Sequence, residues 1–221
     1  MARGHVVTGT GLDRVAALGA ELVPRRELWA DVSSKTARKL VRAGVETFAT
    51  RGFHGTSLRD IIAGTGLSTA ALYVHFRSKE ELLFEISHRG YTVSVEIVDA
   101  ASAMDDPVEA LQVLMYAFVR WQAEHHTVAR VVFYQNDALN AEHRDALLVL
   151  RRDAERKVRV LLRRGIVAGA FADGDVRGIG AALLSLGIDV ARWYGPRPSG
   201  SPDELGRLYS VLALRAVGVL D

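Results

Sequence analysis

Apolar residues in this chain recur mostly at helical spacing. Between 35 and 51, Leu40, Gly44, Val45 and Phe48 fall on one face. Between 79 and 101, Leu83, Ile86, Gly90, Val93 and Ile97 repeat the rule. Over 107–124 the series is Val108, Leu111, Met115, Phe118 and Gln122, with Pro107 placed to open the helix. Residues 141–169 read as one long helix. Residues 176–194 carry Ile179, Leu183, Leu186, Val190 and Trp193, and 202–219 carry Leu205, Leu208, Leu212 and Val219 behind Pro202. No alternating apolar run bounded by turns stands out as a strand, so the pattern predicts an all-α protein. The segments GFHGTS (52–57), FADGDV (171–176) and YGPRPSGSP (194–202) read as the breaks between helices.

Residues 1–33 stand apart. Leu12, Val15, Leu18 and Leu22 suit a short amphipathic helix, which Gly19 and Pro24 limit. The segment is expected to be a mobile arm; the competing reading sends its Arg25 and Arg26 into a DNA groove.

The chain has 221 residues, 49% of them apolar, enough for a sizeable core. It has no cysteine, which excludes disulfides, thiolate metal sites and a cysteine nucleophile, and favours a reducing cytoplasm. No apolar run approaches the length of a membrane span, so no membrane partner is expected. The start, MARGHVVTGTGLDR, lacks the apolar block of a signal peptide. Residues 1–90 carry 13 Lys and Arg against 9 Asp and Glu, and residues 91–221 carry 15 against 17. The N-terminal part is therefore the end suited to a polyanion.

Enzyme chemistry finds little support. The neighbours His125 and His126, with Glu124, point about 100° apart on a helix and chelate poorly, since a helical metal site wants i,i+4 spacing. There is no phosphate-cradling loop and no Gly-x-Ser-x-Gly, and TGTGLD (8–13) lacks the strand and helix of a dinucleotide site. No catalytic residue, metal or cofactor is expected.

The stretch 52–83 carries the strongest local signal. Ser57 and Asp60 are spaced as a capping box, and Gly64 and Gly66 follow within two turns. Gly66 sits where a tight turn needs positive φ, Leu67 can plug the space between two helices, and Ser68 is a natural N-cap. Two short helices joined by a three- or four-residue glycine turn make a helix-turn-helix. A recognition helix enters the major groove by its N-terminal end, where small side chains let the backbone approach. Ser68, Thr69, Ala70 and Ala71 meet that need, and the methyl groups of Thr and Ala suit thymine. Tyr73, His75 and Lys79 are placed to reach phosphates, which position the protein without reading sequence.

From Lys35 to Phe84 the chain resembles the DNA-binding domain of TetR-family transcriptional repressors. The likeness rests on Gly66-Leu67-Ser68 followed by Leu72-Tyr73-x-His75-Phe76-x-x-Lys79-Glu80. It implies DNA contacts by Thr56, Ser57 and the second short helix (Ser68, Thr69, Ala70), and by Tyr73, His75 and Lys79. The chain departs from the family at Ile62, usually Ala, at Gly64, which weakens a helix by about 1 kcal/mol relative to Ala, and at Thr69, often Lys. The last departure bears on which operator is read.

The resemblance implies three regions: an arm (1–33), a helix-turn-helix domain (34–84) and a helical ligand-binding and dimerisation body (85–221). It also implies a palindromic double-stranded operator, a homodimer built on the last two helices, and a small hydrophobic effector. The ending GIDVARWYGPRPSGSPDELGRLYSVLALRAVG is similar to family members that govern fatty-acid and steroid breakdown and respond to acyl-CoA, through Trp193-Tyr194 and Ser201-Pro202-x-Glu204. Arg152, Arg156, Arg159 and Arg163 form one stripe, suited to the phosphates of CoA or to a plain solvated face. Met115, Phe118, Trp121, Phe133 and Tyr134 are candidate pocket walls by type and position, with plain core as the other reading. Three alternatives stay open: a regulator of efflux with a non-CoA ligand, a helical enzyme, and an adaptor in which the helix-turn-helix serves only packing.

Overall fold

The computed structural model describes residues 9–24, 28–32, 34–195 and 200–219. Arg25 and Arg26 lie outside the described residues. Among the described residues ten α-helices follow one another: α1 (Gly9–Leu22), α2 (Lys35–Arg51), α3 (Leu58–Ile62), α4 (Thr69–His75), α5 (Lys79–Ser102), α6 (Pro107–Glu124), α7 (His126–Tyr134), α8 (Ala141–Val167), α9 (Val176–Trp193) and α10 (Pro202–Ala216). The described residues contain no strand, and none of their helices is long and apolar enough to cross a membrane.

Helix starts follow local chemistry. Ser34, Ser57, Ser68, Asp106, Asp175 and Ser201 each accept a first-turn N–H, and Ser57 and Ser201 complete capping boxes with Asp60 and Glu204. Pro107 and Pro202 open their helices as the spacing predicts.

Two compact units emerge. The first comprises the described parts of 1–23, 94–126 and 151–221, the second those of 24–93 and 127–150. This grouping does not follow a linear division at residue 84, because α5 and α8 each run from the second unit into the first.

In the first unit α6 is buried on almost every side, and α1, α9 and α10 pack on it. Such all-round burial is what an apolar helix without a polar face requires. The ring of Tyr116 lies between α1 and α10. A Cβ on Gly19 would stand 2.3 Å from Tyr116 Cδ1, and one on Gly206 2.8 Å from Cδ2. Gly19 therefore does not end the N-terminal helix; it lets the helix pass close to an aromatic ring. Residues 9–22 form a packed helix where the sequence predicts a mobile arm, because Val15 and Ala16 are buried against Val113 and Tyr116.

The same tyrosine anchors a polar chain. Its hydroxyl donates to Asp203 and accepts from Arg120 at 3.2 Å, while Arg207 donates to Asp203 at 2.8 Å and to Asp13 at 2.7 Å. The Tyr116 hydroxyl, helped by Arg207, holds the Asp203 carboxyl below its usual range. A carboxyl so lowered stabilises the fold above about pH 4, and that contribution is lost as pH falls through its folded value. Asp203→Asn should therefore lower Tm at pH 7, with a cost of about 1 kcal/mol given partial exposure. The gap from wild type should close below about pH 4 in thermal melts; a gap constant with pH would refute the linkage.

The second unit has its own core. Leu40, Phe48, Ile61, Leu72, Phe76, Leu82, Leu83 and Ile86 form one cluster with Val131, Val132, Leu139 and Leu147. Further ties run through polar groups. Gln135 donates to the carbonyl of Phe48 at 2.9 Å, and His143 Nδ1 lies 2.9 Å from Glu80 while its ring stacks on Phe84.

Candidate DNA-binding surface and effector residues

The helix pair α3–α4 is built by short-range contacts. Ser57 N–H donates to Asp60 at 2.8 Å and Asp60 N–H to Ser57 Oγ at 3.2 Å. Hydrogen bonds from the Ser57 side chain and backbone lower the Asp60 carboxyl below its usual range, and Arg51 adds to this. Helix α3 ends at Ile62, so Gly64 lies past it, at φ +76°. It therefore carries no helix-propensity penalty and works as a turn residue. Gly66, at φ +70°, takes the conformation its position predicts. The connection, residues 63–68, is longer than the three or four residues expected. It is braced by Thr65, whose hydroxyl donates to Ile62 O at 2.7 Å and accepts from Leu67 N–H at 3.1 Å. Ile62, the bulky departure, is accommodated at the edge of the core.

Helix α4 begins where Ser68 Oγ accepts from Ala71 N–H at 3.1 Å. Leu72 and Phe76 fix its inner face in the core. Ala70, Tyr73 and Val74 face outward, the last two 54% and 78% exposed, and Thr69 is half-buried beside them. An exposed Tyr and Val on a short helix of small residues make a surface that a partner can approach closely. Ser57 and Ser68 are exposed as well, with their hydroxyls engaged in capping.

Three residues sit differently from expectation. Thr56 is buried, and its hydroxyl donates to Gly52 O at 2.7 Å, so it shapes the turn ahead of Ser57. Lys79 directs its ammonium at the carbonyls of Phe53 (2.8 Å) and Thr56 (2.7 Å), 4.2 Å above the Phe53 ring. It is a staple between the start of α5 and the α2–α3 turn, not an outstretched phosphate contact. His75 is half-buried, with Nε2 3.5 Å from Ser34 Oγ at the cap of α2. Conversely Lys35, Lys39, Arg59 and Arg77 are exposed cations that motif reading passed over. The basic balance of residues 1–90 was the signal for them.

The description "Bacterial regulatory proteins, tetR family" matches residues 40–86, and "Tetracyclin repressor-like, C-terminal domain" matches 104–217. The HTH-type transcriptional repressor KstR2 of Mycobacterium tuberculosis is 31% identical over 185 residues, 81% of this chain and 91% of that protein. KstR2 of Rhodococcus jostii is 32% identical over 197 residues, 83% and 93% of the two chains. The crystal structure of a tetR-family bacterial regulatory protein from Rhodococcus RHA1 superposes with TM-score 0.81 at 33% identity, over 86% of this chain and all of that one.

The chain belongs to the TetR family of transcriptional regulators. It is a helix-turn-helix repressor by kinship and not an enzyme.

Within this TetR-family chain the candidate effector residues separate. Met115, Phe118 and Trp121 lie on α6 in the first unit and are fully buried. Phe118 packs against Gly187 of α9, and Trp121 against His125 at 5.3 Å between rings. Burial keeps the His125 ring below its usual pKa. Phe133 and Tyr134 belong to the second unit; Phe133 meets Tyr91 edge-on at 5.0 Å, and Tyr134 is exposed. The five aromatic and Met candidates are thus not brought together within one unit. The arginine stripe on α8 faces outward: Arg152, Arg156 and Arg163 are exposed and Arg159 half-buried. Arg156 pairs with Asp153 at 2.6 Å. Arg163 also borders an open groove of about 450 Å³ with Pro107, Val160, Val167 and Arg164, whose guanidinium is held by the carbonyls of Ser102, Met104 and Asp105.

Proposed function

We propose that the chain is a dimeric, cytoplasmic repressor that holds a palindromic operator and lets go when a small hydrophobic effector, an acyl-CoA thioester, binds its body. The outer face of α4 carries this reading: Thr69, Ala70, Tyr73 and Val74 stand on a helix whose inner face is fixed in a core. Two copies must present this face about 34–36 Å apart, one turn of DNA. The exposed apolar residues of α9 and α10 support pairing. The solvent-facing Arg152 and Arg156 suit the phosphates of CoA, while its acyl part suits an apolar interior. Release follows if the effector prefers a conformation whose two recognition helices no longer match successive grooves, a coupling typically of about 1–3 kcal/mol.

Fluorescence anisotropy on the DNA upstream of the gene tests operator binding. Affinity should fall steeply with salt. Tyr73→Ala should weaken every sequence alike, and Thr69→Val should change the preference among sequences by roughly 1–3 kcal/mol per altered base pair. Absence of salt-dependent binding would remove the operator reading. For the effector, thermal shifts with acyl-CoAs, free acids and hydrophobic drugs discriminate. A ligand at about 100 times its Kd should stabilise by about 2.7 kcal/mol. A response to drugs alone would favour an efflux sensor.

A further inference from the structure

Helix α6 is apolar on almost every side, yet Gln122 is completely buried within it. Neither its Nε2 nor its Oε1 has a hydrogen-bond partner. Other orphaned atoms among the described residues are single. Gln135 and Asn136 each satisfy their amide nitrogen, on Phe48 O and Tyr91 Oη, and Ser87, Ser102 and Arg130 each leave one atom bare. Among the described residues, Gln122 alone buries a whole carboxamide with both edges bare. Such a group is strongly disfavoured, whereas Met would fill the same volume without that penalty.

The surroundings point to what answers it. Counting back along α6, Phe118 lies one turn and Met115 two turns before Gln122, both buried. One turn ahead, His125 is half-buried, its ring disfavoured in the charged form by burial. The row is apolar up to the amide and to the half-buried, charge-disfavoured ring of His125, surroundings that suit an apolar body carrying a polar atom.

We propose that Gln122 is the residue that recognises the effector's polar group: Nε2 donates to a carbonyl oxygen on an otherwise apolar molecule, and Oε1 accepts from an N–H or O–H beside it. This rests on the effector reading above and adds to it the chemistry that is read. A site built to hydrogen-bond such a group rejects the analogue that lacks it, because its own polar atoms are then left bare.

The test uses the full chain with Gln122→Met, and Gln122→Leu as a second variant in case the first packs poorly. Melting curves without ligand come first. Equal or higher Tm in either variant supports the proposal; a fall of several degrees in both overturns it, since the amide is then part of the fold. Binding is next measured for two pairs, octanoyl-CoA against S-octyl-CoA, and 2-decanone against decane. Wild type should favour the carbonyl member of a pair by about tenfold or more, and the variants should lose that preference. Preference confined to the second pair, and lost in the variants, upholds Gln122 while overturning the acyl-CoA reading. No preference in either pair, or a preference unchanged in the variants, overturns the role of Gln122.

Discussion

Leu208→Glu, alone or with Leu186→Glu, should yield a folded monomer that binds its operator at least a hundredfold more weakly. Helices α9 and α10 are each apolar on two sides. Leu183, Gly187, Val190, Leu205, Ala213 and Leu214 are buried inward, while Leu186, Trp193, Leu208 and Leu212 stay 40–51% exposed. A single exposed leucine is ordinary, but four large apolar side chains on two helices that also touch each other are not. A two-fold interface would use every one of them twice, and since each is already about half-covered, its further burial is worth roughly 0.8–1.5 kcal/mol. In a two-fold interface each substitution is present in both subunits, so one glutamate would introduce two charges into the apolar seam. The inner face is untouched, so the monomer keeps its fold, but without the stabilisation that pairing adds it should melt at a lower temperature than the dimer. Separated subunits lose the tethering that turns the second half-site into an intramolecular event, a factor of about 10²–10⁴. Sedimentation should report the monomer, and anisotropy the lost affinity. A variant that stays dimeric with wild-type affinity would show that subunits pair elsewhere.

That double-sidedness also shows what a sequence can carry. Helical spacing identified 176–194 and 202–219 as apolar helices, but it put Leu183 and Leu186 in one series although one is buried and the other exposed. A 3.6-residue period records that residues share a broad stripe, not what covers each edge of it. The α3–α4 pair was far more legible, because its determinants are local. The capping box of Ser57 and Asp60, the cap at Ser68 and the positive φ of Gly66 are settled within a few residues of each position. Gly19 shows the opposite case. Alone it reads as a helix breaker, and its purpose is a ring 97 positions away, Tyr116. Thr56 is a related case. The family resemblance offers it as a DNA contact, but its hydroxyl closes on Gly52 within its own turn. Among the candidate pocket walls, residue type could not tell Met115, in the first unit, from Phe133, in the second.

Lys79→Met should lower Tm by several degrees and weaken operator binding for all sequences, while leaving the salt dependence of binding nearly unchanged. The sequence motif makes Lys79 a point charge for phosphate, and on that reading its loss would reduce the salt slope by about one. In the structure its ammonium instead bonds two carbonyls, Phe53 O at 2.8 Å and Thr56 O at 2.7 Å, over the face of Phe53. Those partners lie 26 and 23 residues back in the chain, where no sequence spacing would reveal them. Hydrogen bonds from a charged donor are worth about 1.5–3 kcal/mol each, and partial exposure brings the pair to roughly 2–4 kcal/mol. Methionine keeps most of the stem but leaves both carbonyls to water. The turn that sets Ser57, and through it α3, is then less firmly tied to α5. Every operator should suffer alike, because what is lost is the placement of the helix pair and not a contact to any base. Melting curves read the first effect, and anisotropy at several salt concentrations separates the two accounts. A slope reduced by one with Tm unmoved would return Lys79 to the phosphate backbone.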